Sequence, residues 1–133
     1  MKKFLIIAFA LLLGTVTYAQ TYQLTATAYS YGEKQSDGIM KWDGWYETDN
    51  ITMIFSPEDS FLKIYTTTPQ DYKLLNLNST YYDDIGTRST YKALDNNKQH
   101  CEVIWRVQYD GERTIYIIYP KEGWGYANLR PLK

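Results

Sequence analysis

His100-Cys-Glu-Val-Ile-Trp-Arg-Val-Gln-Tyr-Asp-Gly-Glu-Arg-Thr-Ile-Tyr-Ile-Ile-Tyr119 is the stretch on which the fold turns. In its first half Cys101, Val103, Trp105, Val107 and Tyr109 alternate with His100, Glu102, Ile104, Arg106 and Gln108. In its second half Ile115, Ile117 and Tyr119 alternate with Thr114, Tyr116 and Ile118. Period-two alternation is the pattern of a half-buried strand, so the stretch is expected to form a hairpin about Asp110-Gly111. A two-residue turn would pair odd positions with even ones and scatter the apolar side chains. A three-residue loop, Tyr109-Asp110-Gly111, pairs Trp105 with Ile115 and Val103 with Ile117, and puts Gly111 where positive φ is needed. A one-residue slip would move the whole apolar row to the wrong face, so burial selects the three-residue loop.

Outward from this hairpin the pattern repeats about every ten residues, with Tyr, Thr, Ile and Trp enriched and no sustained helical period. Strands are expected near Tyr22–Tyr31, Ile39–Tyr46, Ile51–Ser56, Phe61–Thr67, Tyr72–Leu77, Ser89–Leu94, Gln99–Tyr109, Thr114–Tyr119 and Trp124–Leu129. Turn chemistry separates them, as at Pro57-Glu58-Asp59, Thr68-Pro69-Gln70 and Pro120–Gly123. Connections this short pair neighbours antiparallel. Only Asn78–Arg88 is long enough to cross an open end. The expected fold is therefore all-β: an antiparallel meander closing into a small β-barrel of eight or nine strands, or a strongly curved sandwich. Its core is expected to be led by Val103, Trp105, Val107, Ile115, Ile117, Phe55, Ile64 and Leu74.

Residues 1–19 read as a secretory signal peptide. Met1-Lys2-Lys3 is a basic start, Phe4–Leu13 an apolar run too short to span a bilayer permanently, and Thr17-Tyr18-Ala19 a small-residue cleavage site. Residues 20–133 then form a single all-β domain, secreted or periplasmic, without the cysteine a lipoprotein would need at the cleavage point. Without the signal, 12 basic and 15 acidic residues remain, a net charge of −3 with no basic run. Nucleic acid and anionic membranes are poor partners for such a surface. Charges on outward rows (Lys63, Lys73, Lys92, Glu102, Arg106) and short strands argue against membrane insertion as an outer-membrane barrel.

Catalysis is hard to assemble. His100 and Cys101 are the only residues of their kinds and, as strand neighbours, point to opposite faces. They cannot form a nucleophile–base pair or a zinc site across that strand, and no Gly-x-Ser-x-Gly elbow occurs. Cys101, the sole cysteine, is expected to be buried on the apolar side, and His100 to face solvent. Asp83, Asp84 and Asp43 could serve a glycosidase only if they converged, and calcium-loop spacing is absent. Turn formation is the ordinary role of such residues. No catalytic residue, cofactor or metal ligand is therefore expected. The Asn50-Ile51-Thr52 and Asn78-Ser79-Thr80 sequons match the glycosylation pattern by chance if the signal is bacterial.

The aromatic excess is more informative: 13 Tyr, 4 Trp and 2 Phe follow residue 19. Two clusters are interrupted by glycine, Trp42-Asp43-Gly44-Trp45-Tyr46 and Trp124-Gly125-Tyr126. A bulge at Asp43-Gly44 would turn Trp42 and Trp45 to one side. Aromatic rings among short polar residues can stack sugars or extended peptides, so Trp42, Trp45, Tyr46, Trp124 and Tyr126 are the expected ligand-binding residues at one barrel end. The alternative for these rings is ordinary packing. On the first strand, Leu24, Ala26 and Ala28 lie opposite Tyr29 and Tyr31, a small row suited to a tight core or cavity.

The signal ending Thr17-Tyr-Ala-Gln20 and the run Ser89-Thr-Tyr-Lys-Ala-Leu-Asp-Asn-Asn-Lys-Gln-His-Cys-Glu-Val103 resemble those of small secreted all-β proteins of unknown function from Bacteroidetes-type bacteria. The resemblance implies a secreted or periplasmic location and carries no active site. Likeness to lipocalin-type or lysozyme-inhibitor barrels is one of architecture. The expected function is a non-catalytic binding module for a glycan, a peptide or a small apolar ligand. The alternative is an inhibitor or interaction domain acting on another secreted protein through an exposed edge or the Asn78–Arg88 connection.

Overall fold

The computed structural model describes residues 21–131, so the expected signal peptide lies outside the described residues. Ten strands carry the regular structure: β1 (Tyr22–Lys34), β2 (Met40–Trp42), β3 (Tyr46–Ser56), β4 (Phe61–Tyr65), β5 (Gln70–Tyr82), β6 (Gly86–Leu94), β7 (His100–Gln108), β8 (Arg113–Ile118), β9 (Glu122–Ala127) and β10 (Arg130–Pro131). Every pairing is antiparallel. From β1 the hydrogen-bonded path runs through β3, β4, β5, β6, β7, β8 and β9, and β9 pairs back onto β1. The result is a closed, barrel-like ring of eight strands, an all-β meander as the alternation requires. An eight-stranded ring leaves an interior that side chains can fill or that holds one small ligand.

The β7–β8 hairpin has the register that burial selects: Val103 opposite Ile117 and Trp105 opposite Ile115. Gly111 sits at φ 96°, and its amide donates to the Gln108 carbonyl. Val103, Ile115, Ile117, Phe55, Ile64 and Leu74 are buried, as are Trp105 and Cys101, while Val107 packs at the edge of the core. Leu24, Ala26, Met53, Leu62, Tyr72, Ala93 and Leu129 complete the interior.

This core fills the ring unevenly. The end bearing the 57–60 and 109–111 turns, here the upper end, is plugged by aromatic rings. Phe55 lies 5.0 Å from Trp105 and 5.9 Å from Tyr91, and Tyr22 lies 5.1 Å from Trp105. Offset and edge contacts of this kind add about 0.5–1.5 kcal/mol each beyond area burial. The lower end, bearing the 66–69, 95–99 and 119–121 turns, carries side chains with polar tips.

Four expectations need correction. The expected strand Ile39–Tyr46 breaks after Trp42, where Gly44 takes φ 103°, and Tyr46 begins β3 instead. The connection Asn78–Arg88 does not cross an end. β5 continues to Tyr82 and β6 begins at Gly86, because Asp83 Oδ1 accepts from the amides of Ile85 and Gly86 at 2.9 Å and closes a tight turn. The strand expected to reach Leu129 ends at Ala127, where Asn128 adopts φ 59° before β10. Arg106, expected on a wetted outer row, is only 9% exposed, with Nη1 3.6 Å from Asp83 Oδ2. Asp83 thus serves both as turn-former and as counter-charge to a buried guanidinium.

One irregularity governs which residues meet. The β1–β3 register shifts between Ala26 and Ala28. Leu24 and Ala26 face the core, yet further along it is Tyr31 that touches the inward Trp124, while Gly32 lies against Trp42. The shift therefore exchanges the two faces of β1 halfway along.

Candidate functional site

At the lower end the ring opens into a cavity of about 710 Å³. Three turns build its rim. In the β6–β7 turn, Asp95 Oδ1 accepts from the Asn97 and Gln99 amides, both at 2.8 Å, which presents Gln99 at the mouth. In the β8–β9 turn the Tyr119 amide donates to the Glu122 carbonyl at 2.7 Å, so Pro120 and Lys121 form a tight corner and Glu122 starts the next strand. In the β4–β5 connection, Thr66 Oγ1 donates to the Thr68 carbonyl at 2.7 Å and accepts from Gln70 Nε2 at 3.2 Å.

The wall is aromatic and the hydrogen-bonding groups stand among the rings. Trp124 is half-buried and braced by two tyrosines, Tyr31 at 5.3 Å and Tyr119 at 5.9 Å, both at steep angles. Tyr72 Oη donates to Gln70 Oε1 at 2.6 Å, and Gln70 Nε2 reaches Tyr126 Oη at 3.3 Å, linking β5 to β9 across the interior. Tyr119 Oη donates to Asp95 Oδ2 at 2.7 Å, and Tyr31 Oη donates to Glu122 Oε1 at 2.9 Å.

These contacts set the protonation states. The hydrogen bond to Glu122 pushes the Tyr31 phenol up to about 12, because its anion would stand beside a carboxylate. Burial raises Tyr72, Tyr119 and Tyr126, with the Asp95 carboxylate adding to the rise at Tyr119. At Asp95 burial pushes upward, but hydrogen bonds from Gln99, Tyr119 and Asn97 outweigh it, and the carboxyl stays below its ordinary 3.8. Burial, with Asp95 nearby, lifts the Cys101 thiol to about 11. The cavity thus presents phenol hydroxyls beside the side chains of Gln70, Gln99 and Glu122.

The five expected ligand-binding residues divide between two faces. Trp124 lines the cavity. Tyr126 is buried beneath it through Gln70. Tyr29 pairs directly with Tyr126 on one side and with Tyr46 on the other, so these three share a face, and the Tyr29 and Tyr46 rings lie 5.6 Å apart. Trp42 and Trp45 are elsewhere. Their rings lie 5.4 and 6.4 Å from Tyr116, on the outside of the ring. There Gly32, Gly123 and Gly125 form a floor without side chains. A Cβ on Gly125 would come within 3.0 Å of the Trp45 ring, and one on Gly32 within 2.9 Å of Trp42. Both tryptophans do turn to one side, through an interruption of the strand at Gly44 rather than a bulge, but they pack on an outer shelf. The expected grouping of four rings at one barrel end does not form.

The sequence reading missed Tyr31, Gln70, Tyr72, Gln99, Tyr119 and Glu122. Tyr119 was within reach, since it extends the inward row of Ile115 and Ile117. The candidate acids do not converge: Asp43 bonds through its amide to Tyr31 near the lower end, whereas Asp83 tops the β5–β6 hairpin. Among the described residues no three His, Cys, Asp or Glu side chains group as a metal site would require. Compared with protein-family models, curated proteins and solved structures, the chain matches none.

Proposed function

We propose that this protein is a secreted or periplasmic, non-catalytic binding module that takes a small hydroxyl-rich ligand, a glycan unit foremost, into the lower cavity. The observation carrying this reading is the composition of that cavity. It is about 710 Å³ in volume, within the usual range for small-molecule sites, and combines the Trp124, Tyr119 and Tyr72 rings with Gln70, Gln99 and Glu122. A sugar ring offers an apolar face to an indole and hydroxyls to amides and carboxylates, and this wall has both kinds of group. A small apolar ligand would use the rings but leave the Gln99 amide and the Glu122 carboxyl that it covers without partners, at a cost of about 1–3 kcal/mol for each one buried.

The test is a titration of tryptophan fluorescence with a panel of mono- and disaccharides, against short peptides as the comparison. Binding should change the Trp124 signal and vanish in Trp124→Ala. Gln99→Ala, at an exposed position, should weaken it about three- to tenfold, the worth of one hydrogen bond. Trp45→Ala should leave binding intact, because Trp45 belongs to the outer shelf. A flat response to every saccharide would sink the reading.

A second reading, an interaction or inhibitor domain meeting another secreted protein, is favoured by the upper hairpin. There Leu77, Tyr81, Tyr82, Ile85 and Tyr109 are each more than half exposed.

A further inference from the structure

The geometry points to the outer edge of β5 as a self-association surface, with a second copy of this chain as its occupant. β4 is short and pairs with β5 only over Gln70–Lys73. Beyond that, the Leu74 amide meets the Ser60 carbonyl, and from Leu75 to Tyr82 the only strand paired with β5 among the described residues is β6. Register shifts at Leu74/Asn76 and Leu77/Ser79 place two irregularities in this segment, and all eight of its residues are exposed. The sequence Leu75-Asn-Leu-Asn-Ser-Thr-Tyr-Tyr82 contains neither charge nor proline. Charge, proline and bulges are the devices by which proteins keep an edge strand from pairing, and of these the run carries only its two bulges.

The charges that bracket this neutral run identify the occupant. Lys73 precedes it, and Asp83 and Asp84 follow it. If two copies pair antiparallel over Leu75–Tyr82 about a two-fold axis near Asn78 and Ser79, each Lys73, still paired with Phe61 of β4, stands just past the end of the new pairing, beside the turn that carries the other copy's acidic pair. Leu75 then falls opposite Tyr81 or Tyr82. A parallel arrangement would set lysine beside lysine and acid beside acid. The edge is thus self-complementary in charge and in apolar content, and Asp84, exposed and held by no ion pair among the described residues, is free to serve.

The experiment is sedimentation of the secreted-form chain over a concentration series, with charge reversals at the two ends of the edge. The wild-type chain should dimerise. Lys73→Glu alone sets acid against acid and Asp84→Lys alone sets lysine against lysine, so each should weaken the dimer about tenfold, since both symmetric pairs are inverted. The double variant restores opposite charges and should recover wild-type affinity. All four positions of the two pairs are solvent-facing, so folding is preserved and is checked by circular dichroism. Asn78→Cys adds a lone accessible thiol beside the proposed axis, Cys101 being buried, and should oxidise to a covalent dimer. A wild-type chain that stays monomeric at every concentration overturns the proposal. So does a dimer indifferent to both single reversals, or a monomer that instead captures a different protein through this edge.

Discussion

Replacing Gly125 by alanine tests the placement of Trp45 outside the ring. In an open strand the change would stabilise the protein by about 0.5–1 kcal/mol, because alanine loses less conformational freedom on folding. Here the new methyl would sit 3.0 Å from Trp45 Cη2 and 3.0 Å from Tyr116 Cδ1 and Cε1. Both rings must shift by several tenths of an ångström, and overpacking of this kind costs about 1–3 kcal/mol. The expected net effect is a loss of about 1–2 kcal/mol, a drop in melting temperature of about 4–10 °C for a domain of this size. The assay is a denaturant-unfolding double-mutant cycle with Trp45→Ala. Without the indole, Gly125→Ala should cost about a third less, the remainder belonging to Tyr116, which supplies two of the three close atoms. An alanine variant at least as stable as the parent, or a cost unchanged in the Trp45→Ala background, would refute the shelf.

Gly86→Ala should be worse, because its Cβ would run into the Val107 carbonyl and the Gln108 backbone, which cannot rotate aside; loss of the cooperative unfolding transition is the readout. The Cys101 thiol, raised to about 11 by burial, should resist a thiol-reactive dye at pH 8 in the native protein and react fully in denaturant. Asp83 is held below its ordinary 3.8 by hydrogen bonds from Gly86 and Ile85, with Arg106 assisting. A depressed folded value means that its contribution is present above 3.8 and lost as the pH falls toward the folded value. Acid unfolding followed by circular dichroism should accordingly be shallower in Asp83→Asn than in the parent, which would also be the less stable of the two at low pH relative to its own neutral value.

The period-two reading reached as far as regular pairing extends. The β7–β8 register followed from it because only one loop length keeps Val103, Trp105, Ile115 and Ile117 together. It failed where the backbone leaves that regularity. The shift between Ala26 and Ala28 exchanges the faces of β1, so Tyr31, placed by alternation opposite Leu24 and Ala26, joins Trp124 at the cavity. Nothing in single-residue preference marks that shift. Trp42 and Trp45 were misplaced for a related reason: glycines at 32, 123 and 125 fall on one outer face only once three strands are in register. Arg106 looked wetted because its cover, Asp83, comes from a turn that the sequence suggested was a long connection.

The ring closes through one strand. β1 pairs with β2 and β3 along one side and with β9 and β10 along the other, and Leu24 stands opposite Pro131. The earliest and latest parts of the domain are therefore stitched together, and the seam can form only after everything between them has been laid down. Such topology makes for slow folding, because the most distant contacts come last. It also makes the domain a natural candidate for circular permutation. A short linker across the seam, with new ends cut in the exposed 109–111 turn at the upper end, should give a protein that keeps its cavity and folds faster.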